Sequence, residues 1–206
     1  MNILKQRGWG EIMVLGVVSV VLLAVIGSKK LKSQEGGNHF FAAVVGVHHL
    51  GPDYRIGNFY INKSIRDSVG EGWGGGSRRC CVNLPNQFNQ KLKADVRWEV
   101  WRAVTEGNSV VPTRNRVEGI FQALVPVESY TDIGDFYVHF FPNGRVRIVI
   151  SKYSPMGEVH PIRLDDPSAA QQATSGRKVE VMFSKSELEE FERQAERDRK
   201  LYGDWR

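Results

Sequence analysis

Between Leu92 and Arg102 the chain alternates residue by residue, and that alternation narrows its fold more than any other feature. Leu92, Ala94, Val96, Trp98 and Val100 share one side of an extended backbone. Lys93, Asp95, Arg97 and Glu99 share the other. A period of two is a strand with one buried face, and it cannot form the apolar stripe of a helix. Trp101 breaks the pattern by falling on the charged side. An indole there is either covered by another element or offered to a partner, and both readings stand.

Other short runs repeat the signal between Gly, Pro, Asn and Asp: Phe40–His48, Arg55–Asn62, Arg79–Leu84, Gly119–Val127, Asp135–Phe141, Arg145–Lys152 and Lys178–Phe183. So many short strands predict a mainly β (α+β) fold, an antiparallel β-sandwich or curled sheet. Around Pro142-Asn143-Gly144, a three-residue loop pairs Phe141 with Arg145. It aligns Phe136, Val138 and Phe140 with Ile150, Ile148 and Val146, and leaves Tyr137 and His139 opposite Val149 and Arg147. A two-residue loop sorts the faces less well, so the three-residue register is chosen, as a type I turn with a G1 bulge. Pro161–Arg177 reads as a polar loop without periodicity. A surface helix is predicted over 184–202: Ser184 caps it, Glu187 completes a capping box, and Leu188, Phe191, Ala195 and Tyr202 form a narrow apolar stripe.

Ahead of these strands, Ile12–Gly27 is sixteen residues without a charge. At ~1.5 Å per residue it makes a helix roughly 24 Å long, a little short of a ~30 Å hydrocarbon core. Snorkelling Lys29, Lys30 and Lys32 and an interfacial Trp9 close the difference. Residues 1–35 are therefore expected to be a membrane anchor and joint, and 36–206 a single β-rich domain, with Gly36-Gly37 marking a short flexible joint between the two. A cleaved signal peptide is the competing reading, with Val25-Ile26-Gly27 a mediocre cleavage site. No cysteine follows the run, so the sequence offers no lipid acceptor there. Both flanks are basic, and a strict positive-inside count places the domain in the cytoplasm.

The net charge is +5, but residues 1–32 hold five cations against one acid, which leaves +1 for the rest. That is not the basic face a nucleic-acid binder needs. Cys80 and Cys81 are the only cysteines, and without a CxxC pair no zinc site is expected. A vicinal disulfide requires bridging Cα atoms only ~3.8 Å apart, below the usual range. On geometry alone, two reduced thiols on opposite faces of a strand are favoured.

His48 and His49 are adjacent and face opposite sides, while His139 lies opposite the cation Arg147, so no metal is expected. No GxSxG elbow occurs, and Gly107–Val111 lacks the last glycine. Asp165-Asp166 reads as a solvated turn. The stretch Gly70–Arg79 is not a P-loop, since it lacks Gly-Lys-Ser/Thr and leads into a strand. It reads as a flexible loop, or as a partner-facing one with Trp73 as anchor and Arg78 or Arg79 pairing a carboxylate.

Four blocks in order, VVGVHH (Val44–His49), GGGSRRCCVNLP (Gly74–Pro85), LKADVRWEVWR (Leu92–Arg102) and YVHFFPNGRVRIVIS (Tyr137–Ser151), carry a resemblance. Together they resemble a domain-of-unknown-function family of Gram-negative envelope proteins, many of them lipoproteins. Its members are often encoded beside type VI secretion phospholipase effectors and regarded as immunity proteins to them (Tli-type). The likeness spans roughly Val44 to Pro161. It implies a domain in the periplasm, tethered by a single pass through the inner membrane, whose partner is a cognate phospholipase effector. It also favours an oxidised Cys80–Cys81 pair, because that compartment permits disulfides. It brings no catalytic residues, so neither an enzyme nor a cofactor is expected. The expected contact residues are Trp73, Arg78, Arg79, Trp101, Tyr137, His139, Arg145 and Arg147. The alternative is a non-enzymatic structural or assembly protein of the envelope or secretion apparatus.

Overall fold

The computed structural model describes residues 38–72, 76–105, 107, 112 and 114–203. Residues 12–27, Trp73 and Ser109 lie outside this set. Among the described residues, no helix is long and apolar enough to cross a membrane.

Ten strands form two five-stranded sheets: β1 (His39–His48), β2 (Tyr54–Ile61), β3 (Ile65–Val69), β4 (Arg79–Pro85), β5 (Lys93–Val104), β6 (Arg114–Pro126), β7 (Asp135–Phe141), β8 (Arg145–Ser151), β9 (Thr174–Ser175) and β10 (Arg177–Val179). One helix, α1 (Lys185–Tyr202), follows. The first sheet runs β4-β1-β7-β8-β9 and the second β10-β6-β5-β2-β3. The inward faces of both sheets share one core. Ala42 and Val44 of β1 meet Phe136, Val138 and Phe140 of β7 and Val146 and Ile148 of β8 on one side. Ile56 and Phe59 of β2 and Val96 and Trp98 of β5 supply the other. Trp98 is fully buried and stacks on Phe121, with ring centroids 5.5 Å apart. Burying an aromatic of this size contributes on the order of 2–3 kcal/mol.

The chain is mainly β with two sheets, as its alternation required, but the ladders are not all antiparallel. β1 pairs with β7 in parallel, Val44 opposite Phe136 and His48 opposite Phe140. No local pattern announces a pairing of strands some ninety residues apart. The hairpin of β7 and β8 has the predicted register throughout, Phe136 opposite Ile150 and Phe141 opposite Arg145. Its turn differs from the type I geometry: Asn143 as well as Gly144 has φ near +63°. Asn tolerates the left-handed region better than most residues. β3 was not anticipated, because the inward position between Ile65 and Val69 is Asp67. The predicted strand 178–183 shrinks to Arg177–Val179.

A further layer covers the outward face of the first sheet. After β8 the chain folds back over it, and Ile162, Leu164, Ala169, Ala170 and Ala173 pack on Val45, Val47, Tyr137, Phe141 and Val149. Residues Lys152–Ala173 thus form a strap. The segment read as a polar loop owes this role to apolar residues that have no period. α1 docks its first turn on the outward face of the second sheet, with the capping box of Ser184 and Glu187 in place. Glu187 also accepts from Arg97 at 2.8 and 3.1 Å and pairs with Lys63 at 2.7 Å, while Arg97 donates to the Met182 carbonyl at 2.9 Å. Phe183 packs edge-on against Tyr60 and Phe191 beneath the helix.

Candidate partner-binding site

Three of the four blocks that carry the resemblance become neighbours in the first sheet, as β4, β1 and the β7–β8 hairpin. β4 is the sheet's edge. Its register with β1 jumps between Ala42 opposite Val82 and Val44 opposite Arg79, so Cys80 and Cys81 together face Ala43. Two residues against one is a β-bulge, a common device on edge strands. At this bulge Cys80 and Cys81 are disulfide-bonded to each other. The geometric preference for two separate thiols assumed an even strand, and the bulge removes that assumption.

The loop entering β4 is pinned at several points. His48 donates to the Gly70 carbonyl at 2.8 Å, and the Gly76 N–H donates to the Gly46 carbonyl at 2.8 Å. A Cβ at Gly76 would sit 2.7 Å from the Ser68 carbonyl oxygen, so the loop's close approach to β3 requires glycine there. Beyond it, Ser77 donates to the buried Asp67 at 2.8 Å, and Arg79 approaches the same carboxylate at 3.5 Å. Arg78 reaches across to Asp135 at the start of β7, at 2.7 Å.

This Arg78–Asp135 pair stands at the mouth of a cavity of about 260 Å³. Its floor is Val45, Val47 and Tyr137 from the sheet, and its roof is Pro155, Met156 and Leu164 from the strap. Burial raises the Tyr137 phenol above its ordinary range, and the neighbouring Asp135 pushes the same way. An apolar hollow with an exposed ion pair at its lip suits one aliphatic or aromatic anchor side chain flanked by a polar group.

Of the eight residues expected to contact a partner, the cavity gathers two: Arg78 on its rim and Tyr137 in its floor. Arg79 is exposed beside it. Trp73 lies outside the described residues. Trp101 is half-buried on the other sheet: its indole N–H donates to Glu99 at 3.0 Å, and Arg55 lies 5.2 Å over its ring. A Cβ on Gly57 would overlap that ring. On the outward hairpin face Tyr137, His139 and Arg147 are buried and Arg145 is half-buried. The strap covers it, and its cations are engaged within the fold. Arg147 grips Glu128 with two bonds of 2.6 and 2.9 Å and donates to the Ala169 carbonyl at 2.7 Å. Arg145 donates to the carbonyls of Pro142 and Ala170.

Under the strap three imidazoles form a chain. His160 Nδ1 donates to the Tyr153 carbonyl at 2.8 Å, which leaves its Nε2 as an acceptor. His139 Nε2 therefore donates to His160 Nε2 at 3.1 Å, and His49 Nε2 donates to His139 Nδ1 at 2.9 Å. His139 uses nitrogens on opposite sides of its ring, so the three rings do not converge on one point. Among the described residues no His, Cys, Asp or Glu cluster is arranged to hold a metal. Burial drives His139 far below its ordinary range, aided by His49, His160 and Arg147, and lowers His49 to about 4. The chain was not foreseen, since His160 carries no spacing relation to the other two. Met156 and Asp135 likewise give no sequence signal of their role.

Residues 51–148, from the turn before β2 to Ile148 of β8, match the model of a family described as a protein of unknown function (DUF3304). No curated protein and no solved structure matches the chain.

Proposed function

We propose that the chain is a membrane-tethered immunity protein, which binds a cognate type VI secretion phospholipase effector in the periplasm and neutralises it. The observation that carries this reading is the cavity beside the β4 edge. Segments that carry the resemblance frame an apolar hollow with Arg78 at its lip and Arg79 beside it. Neutralisation requires affinity and no reaction. A rigid hollow for an anchor residue, rimmed by a guanidinium, is the kind of surface that supplies affinity. The sixteen-residue apolar run supports a tether in the inner membrane, where such an effector meets its lipid substrate.

The test is co-purification of the full chain with the product of the adjacent gene, followed by lipase assay of that product with and without this chain. Stoichiometric inhibition is expected. Reversing both arginines (Arg78→Glu with Arg79→Glu) weakens the complex at least about tenfold, as expected for losing one or two charge-assisted contacts. Absence of both binding and inhibition refutes the reading for that pair.

A further inference from the structure

Ten large apolar side chains are exposed among the described residues, and several gather at one end of the first sheet. The parallel register sets Val44 opposite Phe136, and carried back three residues it brings Phe41 level with Ile133. The hairpin register sets Asp135 opposite Ser151, and carried on by two residues it brings Ile133 level with Tyr153. Phe41 is 75% exposed, Ile133 59% and Tyr153 44%. Met156, 80% exposed, follows in the turn that roofs the cavity. Lys152 pairs with Asp132 at 3.2 Å and holds its ammonium 5.4 Å above the Tyr153 ring. A rim of aliphatic and aromatic tips with a lysine beside a tyrosine has the composition of a membrane–water interface. Scattered apolar residues need no explanation, but a group on one rim does.

The chain also enters at this rim. Asn38 precedes β1, and its carbonyl accepts from the N–H of Asn86. Between Gly27, the last residue of the apolar run, and Asn38 stand residues 28–37. Ten residues of any conformation span at most ~35 Å. The far end of the sheet, with its Pro142–Gly144 turn, lies a strand length further away. We propose that this rim rests on the bilayer the chain is anchored in, with Phe41, Ile133, Tyr153 and Met156 entering the headgroup region. The proposal rests on the anchor reading given above. Tethering makes a weak surface affinity sufficient, because the bilayer is always within reach.

The test uses the full chain, with a specific protease site inserted between Ser33 and Gly36, in vesicles of phosphatidylethanolamine and phosphatidylglycerol. Oxidation of Met156 by peroxide is followed by mass spectrometry on the vesicles, and again after proteolytic release and removal of the lipid. Met182, in the segment leading into α1 over the other sheet, is the internal reference. Met156 is expected to oxidise about threefold or more slowly on the vesicles, since oxidation follows exposure, with Met182 unchanged. The Phe41→Ser, Ile133→Ser chain, altered only at exposed positions, is expected to lose most of that protection. Equal rates before and after release overturn the proposal while leaving the anchor intact. Protection undiminished in the double variant overturns it too, because something other than this rim then covers Met156. Failure of the uncleaved chain to co-sediment with vesicles sinks the anchor reading, and this proposal with it.

Discussion

Lowering the pH from 7 to 5 should loosen the domain through the imidazole chain beneath the strap. His49 has a folded-state pKa of about 4 against an ordinary 6.5, and His139, His160 and His48 are displaced in the same direction, all chiefly by burial. With folded pKa values below the unfolded ones, the unfolded chain binds more protons throughout that interval. Stability is therefore full above pH 6.5 and declines as pH falls toward 4. For His49 alone the linkage gives a loss of about 2 kcal/mol between pH 7 and 5. Its ring is partly exposed, and discounting for solvent leaves about 1 kcal/mol. The buried His139 adds to this, since burial and the neighbouring His49, His160 and Arg147 all oppose its protonation. Urea unfolding at fixed ionic strength from pH 7.5 to 5 measures the slope, in a window where ordinary carboxylates stay ionised. His139→Gln keeps a donor and an acceptor but removes the titration, so it should flatten the profile. A midpoint that does not move over that range, or an unchanged slope in the variant, refutes the argument.

Two further outcomes follow from other sites. Glu187→Gln should cost about 2 kcal/mol in urea unfolding, because Arg97, buried under Met182 and Phe183, loses its main carboxylate partner and Lys63 its ion pair, while Gln can still accept from the Ser184 N–H. The loss should shrink at acid pH, since the Glu187 carboxyl is held well below its usual range by Arg97, Lys63 and the Ser184 N–H. With its folded pKa depressed, its contribution is present above the unfolded pKa of about 4.3 and disappears only as pH falls through the folded value. Reduction of Cys80–Cys81 should release two alkylatable thiols by mass spectrometry, yet lower the unfolding free energy by only about 1 kcal/mol, because so short a loop removes little chain entropy.

What was legible in the sequence was whatever a strand or helix announces locally. The alternation of β5 sends Ala94, Val96, Trp98 and Val100 into the core as read. The buried face of the β7–β8 hairpin selected its register, and Ser184 with Glu187 marked the start of α1. What escaped depends on partners distant in sequence. The second face of the hairpin looked polar because of His139, Arg145 and Arg147. Its cover, Ile162, Leu164 and Ala169, is spaced to suit a meandering backbone and no regular element. Arg97 sits among outward residues of β5 yet is buried, because the segment leading into α1 crosses over it. For the candidate site, Arg78 and Arg79 could be singled out as cations after a glycine-rich loop. Asp135, Met156 and the hollow between them could not, since four separate stretches of chain compose it.

The parallel pairing of β1 with β7 also dictates an order of events as the polypeptide emerges from its N-terminus. β1 occupies an interior position in its sheet, yet one of its two neighbours arrives about ninety residues later. Until then a ten-residue strand bearing Phe40, Phe41 and five valines and alanines presents an open flank. Productive collapse has to wait for the hairpin. Such remote closure is slow, commonly milliseconds to seconds, so the flank of β1 is among the last parts of the sheet to be sealed.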